Sequence, residues 1–317
     1  MSELADRLDD LAYLFRHGPF GEAGIAAFTR LGLQVDSRFQ KSLEGLTDSQ
    51  QADEWGALHQ SLFGFNVFPF ASVFLDEEGK MGGAVEDYVA RTYARERFIP
   101  SGGDDSGHLV SELQFCAFLL RKTDKDSELI TRFLDEHVFA WLPCFVFALE
   151  RRTDGFFAAL AARALSILVD VRNAADFVVE AEHFADASKE QESPASIRAL
   201  AGHCVSAVRA GLFLSRADIS ELARSVQVPT GFGSREQMFT TLFDSARTYG
   251  KESNLIDALD SMMEVEHGKW TTLAYSNVTE AVVKEEVMTE SIGHWATVWQ
   301  SRLEHTRLLL KQTSDLT

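Results

Sequence analysis

Leu109-Val110-Ser111-Glu112-Leu113-Gln114-Phe115-Cys116-Ala117-Phe118-Leu119-Leu120 is the stretch whose reading decides the fold. Leu109, Leu113, Cys116 and Leu120 fall at i, i+4, i+7 and i+11, one face of a helix. Phe115, Phe118 and Leu119 widen that face until most of the helix must be buried. Downstream, Leu129 to Glu150 reads as an apolar helix bent or divided at Pro143, and Phe156 to Ala181 as another, with Leu160, Ala164, Ile167 and Val171 on one face. Together they make a bundle core. Upstream, residues 3 to 16 are helical until Gly18-Pro19, residues 21 to 33 form a second helix, and Trp55, Leu58 and Leu62 mark a third between 51 and 65. Residues 64 to 75 break the rhythm, and a helix from Ala84 to Arg97 leads into the polar loop Ser101 to Gly107.

Beyond residue 195 the same grammar continues. Ser215-Arg216-Ala217-Asp218 and Ser234-Arg235-Glu236-Gln237 are capping boxes that open helices. The last helix places Trp295, Trp299, Leu303, Thr306 and Leu310 on one side. Alternating runs of Val, Ile and Thr are missing, so the expected fold is all-α. Residues 185–195 are charged and poor in apolar side chains, and they read as a linker or loop between a first domain, 1–184, and a C-terminal helical region, 196–317, packing on the first.

A formal charge of -18 opposes phosphate backbones and excludes non-specific nucleic-acid binding, while suiting a basic partner. The N-terminus lacks the basic flank and apolar run of an export signal. The longest apolar run, Val138 to Leu149, is too short to span a bilayer, so no membrane insertion and a cytoplasmic location are expected. Cys116, Cys144 and Cys204 form no CxxC pair and read as reduced core residues.

Chemistry-bearing motifs are few. Gly231-Phe232-Gly233-Ser234 has no following Lys-Ser/Thr and fails as a phosphate loop, and HExxH and GxSxG do not occur. Two ExxH motifs, Glu180 to His183 and Glu264 to His267, have the spacing that di-iron bundles use, although both read as lying near helix ends, the second before Gly268. His108 precedes Glu112 by one helical turn, behind the acidic residues Asp104 and Asp105; a local ion pair at a helix start accounts for that spacing by itself.

At this loop the sequence resembles a known family. Asp104-Asp105-Ser106-Gly107-His108, followed by Glu112-Leu113-Gln114-Phe115, is similar to the E-P-x-D-H and E-L-x-F signature of the TorD/DmsD/NarJ molybdoenzyme assembly chaperones. Pro69-Phe70-Ala71-Ser72-Val73-Phe74-Leu75 resembles the family's P-x-x-S-x-Y/F segment, and Phe133 to His137 through Trp141-Leu142-Pro143 resembles its FL-x-x-H…WLP helix. Phe213 to Ile219 and Gly231 to Met238 look like a longer TorD-like subgroup. Gly107 stands where the motif has aspartate, so no role of that aspartate carries over.

The resemblance implies a TorD-like helical bundle with a helical C-terminal extension and no catalytic residues. Its expected partners are the precursor of a molybdoenzyme catalytic subunit and that subunit's twin-arginine leader. No cofactor is bound permanently; molybdopterin guanine dinucleotide belongs to the client. A leader combines two arginines with an apolar run, which calls for carboxylates beside a hydrophobic groove. Asp104, Asp105 and Glu112, with His108, are the candidates for the first, and Pro69, Ser72, Phe74, Trp141 and Leu142 for the second. A monomer and a domain-swapped dimer both remain open, as do a ferritin-like di-metal protein and a generic helical adaptor.

Overall fold

The computed structural model describes residues 2–35, 37, 48–103, 105–122, 127–174, 196–281 and 287–314. They are helical, with no strand among them; one isolated β-bridge joins Phe70 to His108. The chain divides into two compact units, residues 1–73 with 80–183, and residues 74–79 with 184–317. The charged stretch 185–195 lies outside the described residues.

The first unit contains α1 (Ser2–His17), α2 (Gly21–Arg30), a 3-10 turn (Leu33–Val35), α3 (Asp48–His59), which runs on into a π-helical turn (Gln60–Gly64), and the first residues of α4 (Ala71–Leu75). After the excursion to the second unit come α5 (Gly83–Glu96), α6 (Leu109–Arg121), α7 (Ser127–Phe133), a π-helical turn (Leu134–Val138), α8 (Phe139–Arg152) and α9 (Phe156–Asn173). α1 lies along α6 and also touches α2 and α9, while α8 packs on α9. Every residue from Phe139 to Leu149 is buried, so α8 is apolar all round because it is surrounded. Aromatic edges lock the core: Phe115 meets Phe133 edge-on at 5.0 Å, and Phe63 meets Phe157 at 4.9 Å.

Pro143 does not divide its helix. It sits inside α8, and the irregularity comes one turn earlier, in Leu134–Val138, where Phe139 N–H reaches back to Leu134 O. A proline removes the donor that would pair with the carbonyl four residues before it, here that of Phe139. The wide turn absorbs an extra residue just upstream of that defect, and the helix continues.

The second unit, besides residues 74–79, contains α10 (Ile197–Val205), α11 (Ala207–Ala210), α12 (Arg216–Val226), α13 (Arg235–Thr248), α14 (Glu252–Ala281) and α15 (Val287–Ser314). Both capping boxes form in full: Ser215 Oγ accepts from Asp218 N–H and Asp218 Oδ2 from Ser215 N–H, with the equivalent pair between Ser234 and Gln237. α14 and α15 run antiparallel, with Trp270 stacked on Trp299 at 5.8 Å and Arg307 bidentate on Asp260 at 2.5 and 2.9 Å. Gly268 does not end a helix, as the sequence suggests; it is interior to α14, whose next turn buries Trp270. At Gly211, φ is +77° and an added Cβ would lie 2.5 Å from Leu303 N, so only glycine lets the end of α11 press onto α15.

Candidate functional site

In the first unit, segments far apart in sequence meet at His108. Ala71 N–H donates to Gly107 O at 3.0 Å and Leu109 N–H donates to Pro69 O at 2.9 Å, which pins the Pro69–Ala71 segment to the start of α6. The Phe70 ring stands edge-on to His108 at 4.9 Å, and Tyr93 Oη–H donates to Ser106 O at 3.0 Å. His108 is the N-cap of α6: its Nδ1 accepts from Val110 N–H at 3.1 Å, satisfying one of the donors that a helix start leaves free. An accepting nitrogen must be unprotonated. Burial, with Arg16 and His59 nearby, lowers the His108 pKa to about 4 and keeps it so.

Glu112, one turn into α6, is bonded to other partners than His108. Its Oε1 lies 2.7 Å from His137 Nε2, and its Oε2 accepts from Trp141 Nε1–H at 3.1 Å. His137 and Trp141 are four residues apart and share a helical face, which is how two side chains of one element reach one carboxylate. Glu112 and Trp141 are at most 1% exposed and His137 is 3% exposed, so the three form a closed polar triad in the core. Burial pushes the Glu112 carboxyl up; the attraction and hydrogen bond of His137 and the hydrogen bond of Trp141 pull the other way. Asp135, two residues before His137, turns to a different neighbour, with Arg172 Nε 2.8 and 2.9 Å from its two oxygens. Both residues of that pair are buried.

The expected peptide-binding residues therefore separate by exposure. Asp105 is exposed and His108 half-buried, whereas Pro69, Ser72, Glu112, Trp141 and Leu142 are buried in the first unit and Phe74 is buried in the second. Asp104 lies outside the described residues. The local ion pair between His108 and Glu112 does not form, because the cap holds one side chain and the core triad the other. Trp141, Leu142 and Phe74 are core, so in this structure they line no open groove. Gly107 has a negative-φ backbone, and an added Cβ would meet only Glu86 Cβ at 4.0 Å, so a β-carbon fits at this position.

An open concavity in the first unit was not legible in the motif. A cleft of about 480 Å³ between α1 and α6 is walled by Tyr13, Arg16, Phe98, Ile99, Phe118 and Arg121. Ile99 is 86% exposed, an unusual place for so apolar a side chain. Arg121 reaches across to Asp6 at 2.7 Å and Asp9 at 2.6 Å, and Gln114 of the signature helix fastens Ser101 at the rim through its Oε1 and Nε2.

Of the two ExxH motifs, Glu180 to His183 lies outside the described residues. Glu264 is exposed in the middle of α14, and His267 lies 3.6 Å from Glu304 of α15. Among the described residues no group of three or more His, Cys, Asp or Glu side chains could hold a metal ion. No described helix is long and apolar enough to cross a membrane.

Residues 32–146 match the family model described as the nitrate reductase delta subunit. Over this segment, less than half of its length, the chain is similar to the TorD/DmsD/NarJ family of molybdoenzyme assembly chaperones. The matched span holds the Pro69 segment, the His108 signature and the helix of His137 and Trp141, the three blocks that the bridge and the triad bring together. The blocks at Phe213 and Gly231 lie beyond it. No curated protein and no solved structure matches the chain.

Proposed function

We propose that the chain is a cytoplasmic chaperone that holds the apo catalytic subunit of a molybdopterin oxidoreductase, or that subunit's twin-arginine leader, until molybdopterin guanine dinucleotide is inserted. One observation carries the reading: the family's three sequence blocks converge on a single construction in the first unit, where His108 caps α6 and Glu112 ties that helix to His137 and Trp141. A polar triad that is closed and buried is suited to fixing a surface, and not to turning over a substrate. The work of recognition falls to what the surface presents: exposed Asp105, and the cleft beside Ile99, where Tyr13, Phe98 and Phe118 stand with Arg16 and Arg121. An exposed carboxylate and apolar cleft-lining side chains on one unit suit a segment in which two guanidinium groups precede an apolar run. The chain itself supplies no catalytic residue, and the cofactor stays with the client. Residues 1–184 act as the chaperone domain.

Isothermal titration of the leader peptide from the client tests this. The expected result is saturable binding to the intact chain, weakened about three- to tenfold by replacing Asp104 and Asp105 together with Asn, and less sensitive to salt in that variant. Binding that ignores both substitutions would move the site elsewhere. Absence of heat with every leader and every apo subunit of the same genome would end the proposal.

A further inference from the structure

The second unit is completed by a segment that arrives from far upstream. Residues Phe74-Leu75-Asp76-Glu77-Glu78-Gly79 belong to it, together with 184–317. Phe74 is fully buried with its ring 4.8 Å from that of Phe213. Glu77 pairs with Arg209. Gly79 O accepts from Arg235 NH2–H at 3.2 Å. Arg235 also donates to Leu214 O at 3.1 Å and places its guanidinium 4.6 Å over the Phe213 ring. Burial, and the charge of Arg216 nearby, lower the Arg235 pKa to about 10, the sign of a cation held with less solvent than it would choose.

The receiving surface has a definite chemistry. It offers one aromatic face, Phe213, under the guanidinium of Arg235, with Arg209 paired to Glu77 and the charge of Arg216 felt at Arg235, on a chain whose formal charge is -18. The segment that fills it is its complement: one phenylalanine followed by three carboxylates. The carboxylates are crowded, and burial, Glu78 and Glu77 raise the pKa of Asp76. Such a run is held by its partners and not by its own company.

We propose that the Phe213–Arg235 surface is a docking site for a short segment in which an aromatic residue precedes acidic ones, and that the chain's own Phe74–Gly79 occupies it in this structure. A partner bearing the same pattern competes for the site. Only Ser72 and Val73 separate the docked segment from Pro69–Ala71, which is bonded to Gly107 and Leu109. The inference stands apart from leader binding and can fail without it.

The test uses the full chain and a fluorescein-labelled peptide of residues 72–80, followed by anisotropy. Phe74→Ala removes the segment's aromatic anchor and weakens its hold on the socket. The expected result is saturable binding to this variant, at least tenfold tighter than to the unaltered chain, and lost when Arg209→Glu is added or when the peptide's phenylalanine is replaced by serine. A Phe74→Ala chain that keeps its helical circular dichroism and does not bind, or binds without regard to Arg209, would overturn the proposal. Should Phe74→Ala not fold, Glu77→Arg, at a largely exposed side chain, loosens the segment without touching the core; about fivefold tighter peptide binding than to the unaltered chain is then expected. Equal affinities for Glu77→Arg and the unaltered chain would overturn it as well.

Discussion

Glu112 ties two other buried side chains to α6, Trp141 through its Nε1–H and His137 through its Nε2. Glu112→Ala removes the hydrogen bond to Trp141 Nε1–H and the contact with His137 Nε2, and the expected cost is about 2–4 kcal/mol in urea denaturation. A loss below about 0.5 kcal/mol would show that the triad contributes little. His108 makes a different prediction. Its folded pKa of about 4 lies below the 6.5 of the free side chain, so the unfolded chain binds more protons between those values. The stability that His108 supplies is full above pH 6.5 and is lost as pH falls toward 4; His203, lowered to about 4 by burial and His305, adds a fall of the same sign. Glu112, raised by burial, acts oppositely, its contribution fading as pH rises through its folded value. His108→Asn keeps an N-cap acceptor and removes one titration, so its stability should decline less steeply between pH 6.5 and 4 than that of the unaltered chain. An identical slope would place the acid sensitivity elsewhere.

At the scale of the element, much was legible where the cause is local. Ser215 and Ser234 announce helix starts because the capping box is written within four residues, and both boxes are present, including the one whose third position is Asp218. The two should differ in worth. Ser215 is fully buried and its Oγ lies 2.6 Å from Asp218 Oδ2, whereas Ser234 is exposed. Ser215→Ala is expected to cost about 1–2 kcal/mol in denaturant unfolding and Ser234→Ala about half as much; the reverse order would contradict the role of burial. Sequence failed where the cause is distant. Pro143 suggests a break, but the packing of α8 keeps the helix going and shifts the irregularity to Leu134–Val138. Gly268 suggests an end, but α15 lies alongside and Trp270 stacks on Trp299, so α14 continues through it. The partners of Glu112 lie 25 and 29 residues away, and periodicity cannot name them; spacing alone puts Glu112 with His108, its neighbour by one turn.

For the whole molecule, the all-helical class followed from stripes of Leu and Phe, and the family resemblance from three blocks whose convergence became visible only in three dimensions. What could not be read was which of those residues meet solvent. Trp141, Leu142 and Glu112 have the right chemistry for a leader and the wrong exposure, while Ile99, outside every motif, stands 86% exposed beside a cleft. Nor does any local pattern reveal that residues 74–79 complete the second unit, since their contacts span more than a hundred positions. The central claim is that this chain holds a molybdoenzyme catalytic subunit in its apo form. The direct measurement is to purify the tagged chain from cells making the catalytic subunit, with and without molybdopterin guanine dinucleotide synthesis, and quantify the subunit retained. Retention that is high without the cofactor and falls severalfold when it is available is the predicted result; no retention in either background, or equal retention in both, would contradict the account.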